Sequence, residues 1–355
     1  MFYHKQPGIM KKICVVLIFI CAIMDINAQT WLAMNTDLSN GKFGVRTEIV
    51  YKDTVYVGGD FVYANNQATY GIAKWDGNKW IPCEFGLDLT YGQVYALVIY
   101  NGALYIGGYF KSLDTKNIFT VLKWDGVRWS VLGTTTKHHT VLSLIIYNGE
   151  LYAGGSFTSI NEVKAKYIAK WNKRNGWSSL NEEPNGWILS FGAYKGCLYV
   201  GGYFTKVGKK YASYIAQWNG TTWKPLEKGL HGGVVPYVKA FAEYDGKLYI
   251  GGEFRIAGND SAKNIAKWDG KKLSSAGKGI DKPVNALAVY NKRLFIGGYN
   301  KHIKTWNGIS FTKTGPPINI QVNTFLPYNH VLLVGGNFTY AGKVHTKYIA
   351  GYSEH

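Results

Sequence analysis

"QTWLAMN" (residues 29–35) is a lone apolar stub built around one tryptophan, set between a hydrophobic leader and polar sequence, with no partner strand beside it. A short strand must find partners for its backbone groups, so its mate has to come from elsewhere in the chain. Where that mate lies decides the fold.

On its N-terminal side, residues 1–28 read as an export signal. Lys11 and Lys12 precede twelve apolar residues from Ile13 to Met24, and Ala28 stands just before Gln29. Such a run is shorter than the roughly 20 residues that span a bilayer, so no transmembrane anchor is expected. Met10 offers an alternative start, and the bulky Phe19 and Ile20 before Cys21 speak against lipid attachment there. The expected location is therefore outside the cell or in a periplasm.

Without residues 1–28 the chain carries 37 Lys+Arg against 21 Asp+Glu, a net charge of +16. That balance suits anionic partners, and equally a merely solvated basic surface. Export makes nucleic acid a minor option. Only Cys83 and Cys197 remain, in distant parts of the chain, which is no disulfide framework.

Toward the C-terminus the chain repeats. Glycine pairs stand at 58–59, 107–108, 154–155, 201–202, 251–252, 297–298 and 335–336, giving seven units. A tyrosine lies seven positions before every pair: Tyr51, Tyr100, Tyr147, Tyr194, Tyr244, Tyr290 and Tyr328. Sixteen positions after the second glycine come Trp75, Trp124, Trp171, Trp218, Trp268 and, last, Tyr352; unit six reaches Trp306 after eight. Within a unit, "VYALVIYNGALYIGGYF" (94–110) reads as two strands around an Asn-Gly hairpin, and "IAKWDGNKW" (72–80) as a second hairpin on Asp-Gly.

Four-stranded sheets with runs as apolar as "LYIGG" must be covered on both faces, which repetition achieves by stacking them around a ring. The ends show that the ring closes. Unit seven stops after its third strand, while Trp80, Trp129, Trp177 and Trp223 close units one to four and precede the next glycine pair by 24–28 residues. Trp31 precedes Gly58 by 27. The expected fold is all-β: a seven-bladed β-propeller over residues 29–355, with four-stranded blades and the N-terminal strand completing the last blade.

"LYVGGYF…YIAQWNGTTW" (198–223) resembles kelch-type propeller repeats, and still more the repeats of the cortical-marker proteins of cell polarity. The resemblance covers nearly all of residues 30–355. Trp-Asp at 75–76, 124–125 and 268–269 sits at a hairpin turn without the Gly-His partner of WD40 repeats. The kelch-like group includes galactose oxidase, a copper enzyme, but its tyrosine and histidine ligands map onto no residues of this chain. Fold likeness carries no function by itself.

Candidate sites are residues that break the repeat. Trp187 is the one tryptophan of twelve outside the two repeat slots, at the loop-facing start of an inner strand, with Tyr237 at the matching position of the next unit. Such an indole either stacks on a sugar ring or plugs the channel mouth. Glu48 occupies a slot held elsewhere by Leu97, Leu144, Phe191, Phe241, Leu287 and Phe325, with Arg46 two residues away on the same expected strand face. An ion pair and a catalytic acid are both open readings. Lys239 holds the slot of Arg46 in unit five, so two cations are expected at the channel. His138, His139 and His231 fall in loops on the same face, without the three or four converging ligands of a zinc site.

No metal site, cofactor fingerprint, nucleophile elbow or P-loop is present in the sequence. The expected function is a secreted, monomeric binding or scaffold module for a protein or glycan, anionic ligands included. The alternative is an extracellular carbohydrate-active enzyme centred on Arg46 and Glu48.

Overall fold

The structure, a computed structural model, describes residues 30–34, 38–87, 89–113, 118–136 and 139–354. The expected leader over residues 1–28 lies outside them. All regular structure among the described residues is β-strand, and among those same residues no helix is long and apolar enough to cross a membrane.

Among the described residues, seven four-stranded antiparallel sheets form. Six are meanders whose four strands follow chain order from the inner to the outer edge. The seventh runs Val322–Tyr328, Val331–Gly336, Ile349–Ser353 and then Thr30–Ala33, so its outermost strand comes from the other end of the chain. Trp31 pairs directly with Tyr352 in that register. The innermost strands touch in sequence, and Val322–Tyr328 touches Val45–Tyr51, so the circle of sheets closes.

The repeated residues each have a contact that explains them. Every tyrosine of the inner strand donates its hydroxyl hydrogen to a backbone carbonyl in the hairpin turn of the next sheet. The acceptors are Gly102, Gly149, Gly196, Gly246, Lys292 and His330, and across the closure Tyr328 donates to Asp53. The Tyr194–Gly246 bond is 2.6 Å, and Tyr194→Phe is expected to lower stability by about 1 kcal/mol in chemical denaturation.

The two tryptophan slots are cross-strand partners, as in Trp75–Trp80 and Trp218–Trp223, whose rings lie 5.0 and 4.9 Å apart. Outer-strand indoles also reach back one sheet: Trp177 Nε1 donates to the Leu132 carbonyl, Trp223 to Asn181, and Trp80 to Met34 beside the closing strand. Trp31 makes the same kind of bond, to the Pro316 carbonyl at 3.2 Å.

The glycine pair is where neighbours come closest. A Cβ on Gly201 would lie 2.4 Å from the Val238 side chain in the next sheet, and one on Gly202 only 2.0 Å from the Trp187 carbonyl of its own sheet. Side chains are excluded at both, for separate reasons.

The stretches after the second strands, read from sequence as loops, form short ribbons in five units: two-stranded in three, for example Lys206–Val207 with Lys210–Tyr211, and joined by a third strand, Leu38–Ser39 or Leu230–His231, in the first and fifth. In the second sheet the strands themselves lengthen instead, to Leu89–Tyr100 and Ala103–Ser112.

Candidate functional site

Each inner strand carries an irregularity at the same place. In the first sheet the pairing slips between Val45 and Thr47, leaving Arg46 as an extra residue opposite Gly58 and Gly59. Equivalent slips leave Tyr95, Leu142, Leu189, Lys239, Asn285 and Asn323. All seven stand twelve positions before the first glycine of their unit. Bulges re-aim side chains, and here they aim all seven into one central cavity of about 610 Å³. Phe43, Trp187, Tyr203, Tyr237, Tyr299 and Gln321 complete its wall.

Four candidates named from sequence therefore meet: Arg46, Trp187, Tyr237 and Lys239. Trp187 is 49% exposed, at the rim and in the open, so its indole is not packed as a plug. It meets Tyr203 edge-on at 6.3 Å between ring centres, and Tyr203 meets Tyr237 at 5.4 Å, making a continuous aromatic wall. Burial pushes the Tyr203 and Tyr237 phenols up, so both are neutral hydrogen-bonding groups.

Across from that wall, the Arg46 guanidinium lies over the rings of Phe43 and Tyr95, at 4.7 and 4.6 Å. Two backbone-anchored contacts set this pose: Asp60 accepts the Phe43 amide hydrogen at 2.9 Å, and Asn323 Nδ2 donates to the Val45 carbonyl at 3.0 Å. Burial pulls the Lys239 ammonium down to about 8, and the charge of Arg46 pulls the same way.

The expected Arg46–Glu48 ion pair does not form among the described residues, and Glu48 does not line the cavity. The bulge is the cause. It breaks the two-residue alternation, so Glu48 shares a face with Val45 instead of Arg46. Both press on Gly335 of the last sheet, where a Cβ would lie 2.2 Å from Glu48 Oε1 and 2.6 Å from Val45 Cγ1. The two Glu48 oxygens are sealed from solvent without a hydrogen-bond partner, and burial pushes the carboxyl up to about 8. It is an uncharged acid in the seam between first and last sheets.

The histidines are elsewhere. His138 lies outside the described residues. His139 precedes the inner strand Val141–Tyr147, and His231 sits in the short strand Leu230–His231; neither lines the cavity. Among the described residues no three His, Cys, Asp or Glu side chains gather as a metal-ligand set.

Sequence reading missed Phe43, Tyr95, Tyr203, Asn285, Tyr299, Gln321 and Asn323. The signal was present: the slot twelve before the glycine pair reads Arg, Tyr, Leu, Leu, Lys, Asn, Asn, the most chemically varied position of an otherwise apolar strand.

No family model matches the chain, and no curated protein matches it in sequence. Solved structures match in fold. The extracellular domain of the putative one-component system BT4673 of B. thetaiotaomicron aligns with a TM-score of 0.58 at 11% identity over 93% of this chain, which spans 40% of that chain's length. The WD40 propeller of Doa1 (TM-score 0.55, 13% identity) covers 92% of this chain and 97% of its own. YCF48 bound to D1 peptide (0.56, 14%) covers 94% and 99%. These likenesses establish a β-propeller.

Proposed function

We propose that the chain is an exported, monomeric β-propeller of the kelch-like kind that works as a binding module for a protein or glycan, with the central cavity as its site. One observation carries the reading: seven bulges, one per sheet, converge on a single cavity, and five of them bring an aromatic, cationic or amide group there, against two leucines. A fold that needed only to pack its channel would gain most from apolar side chains there. The volume suits a small ligand or the tip of a larger one. A structural neighbour described as bound to a peptide and another that is an extracellular domain are compatible with such a role.

The alternative, an enzyme acting on polysaccharide, rested on Arg46 and Glu48 as a common centre. With Glu48 turned into the seam, that centre is not assembled, and no carboxylate is among the described residues lining the cavity.

Trp187→Ala tests the site. Retention on a glycan array, or of partners from a native envelope extract, is expected to fall tenfold or more, a hot-spot effect of about 2 kcal/mol. Because the indole is half exposed, unfolding stability should stay within about 0.5 kcal/mol of the parent. Unchanged retention, or a melting loss of core size, would count against the cavity as the site.

A further inference from the structure

Three of the seven bulge residues present polar groups that the fold leaves without partners. Arg46 Nε and both polar atoms of the Asn285 amide are buried with no hydrogen bond, and Asn285 is only 4% exposed. Lys239 has no ion pair or hydrogen bond among the described residues, and no carboxylate lines the cavity beside it. Buried polar groups are nearly always paired, and unpaired ones clustered in one cavity mark a place where pairing comes from outside. Two like charges sharing that cavity repel each other and call for an anion.

Resting on the reading of the cavity as a binding site, we propose that its ligand is an acidic sugar residue of the uronate class. The carboxylate lies between the Arg46 guanidinium and the Lys239 ammonium, which replaces two desolvated, mutually repelling charges with charge-assisted hydrogen bonds. Asn285 supplies one donor and one acceptor, the complement of a sugar hydroxyl. The wall of Trp187, Tyr203 and Tyr237 offers aromatic faces for the apolar side of a pyranose ring. A peptide carboxylate would satisfy the cations alone and leave that wall without a flat partner.

The charged and titratable groups around Lys239 are Arg46 and Tyr95 from the first and second sheets, Tyr203 and Tyr237 on the aromatic wall, and Tyr299, with Asp60, behind the cavity wall, acting on Tyr95 and Glu253 acting on Tyr203 and Tyr237. Burial holds Tyr95, Tyr203 and Tyr237 neutral, so Lys239 is the group that changes charge near pH 8. Below that pH it is cationic and affinity is full; above it the proton leaves and affinity falls.

The experiment is calorimetric titration of the mature chain with uronate oligosaccharides (oligogalacturonate, oligoalginate, oligoglucuronate), each paired with its carboxyl-reduced form and joined by acidic peptides of similar charge. At least one uronate should bind, and carboxyl reduction should weaken it about tenfold or more. Arg46→Gln and Lys239→Met should each erase most of that preference, and Lys239→Met should also abolish the decline above pH 8. Because Lys239 is a half-buried cation with no ion pair among the described residues, Lys239→Met should melt no lower than the parent; a marked loss of stability would make it structural and overturn the assignment. Equal binding of acidic and reduced sugars would overturn the acidic ligand while leaving the cavity as a site. Binding of the peptides alone, or of no uronate while Trp187→Ala still impairs native retention, would overturn the sugar and keep the site. No uronate binding together with unchanged retention by Trp187→Ala would remove both.

Discussion

Glu48→Leu is expected to stabilise the protein by roughly 3 kcal/mol at pH 7, measured by urea denaturation. The folded carboxyl is pushed up to about 8 from 4.5 by burial alone. Between these two values the unfolded chain releases the proton and the folded chain keeps it. Unfolding is thereby favoured more at each step upward in pH. The penalty is absent below about pH 4.5, grows through the interval, and levels off above about 8. Leucine is what the second, third and sixth sheets place in this slot, as Leu97, Leu144 and Leu287, so the replacement has a precedent in the same molecule. The gap between variant and parent should widen from pH 4.5 to 8, and Glu48→Gln should share the loss of pH dependence without the full gain. A gap that stays constant with pH would show that Glu48 is ionised in the fold.

Removing the closing strand should have the opposite and larger effect. A chain starting at residue 35 loses the burial of Trp31, its edge-on contact with Tyr352 at 5.4 Å, and its bond to Pro316. It also removes the Met34 carbonyl that accepts the Trp80 indole hydrogen. Loss of a core tryptophan alone costs about 3–5 kcal/mol. Beyond that, Ile349–Ser353 becomes an open edge able to pair with another copy. The truncated chain should elute as oligomers or aggregate on size exclusion, and a synthetic peptide of residues 29–36 should restore monomer and melting temperature in trans. A truncated chain as stable and monomeric as the parent would show that the closure is dispensable.

These two residues also mark how far the sequence could be read. The ring was legible because its interfaces recur: Tyr194 and its equivalents, Gly201–Gly202 and Trp218–Trp223 meet the same neighbour in sheet after sheet, so each leaves a fixed spacing. Trp31 was placed by that spacing alone, and it pairs as expected with Tyr352. The cavity was legible only in part. Trp187, Tyr237, Lys239 and Arg46 stood out by breaking the pattern, but strict alternation put Arg46 and Glu48 on one face. The bulge that separates them leaves only a faint mark, a valine or isoleucine before the extra residue and a small alanine, serine or threonine after it in every sheet, which an ordinary alternating strand also shows. Tyr203 and Tyr299 were passed over because the position after the glycine pair varies freely, being Asp60, Ser156 and Asn337 elsewhere.

The shared sheet of the two chain ends has a mechanical consequence. Thr30, at the outset of the closing strand, pairs with Ser353, at the finish of its mate. Tension applied between the two ends would therefore load the ladder one rung at a time, from Thr30–Ser353 inward, and not in shear along its length. The same strand that makes the circle cooperative under heat or urea would peel at low force, opening the ring at one seam while the other sheets stay folded.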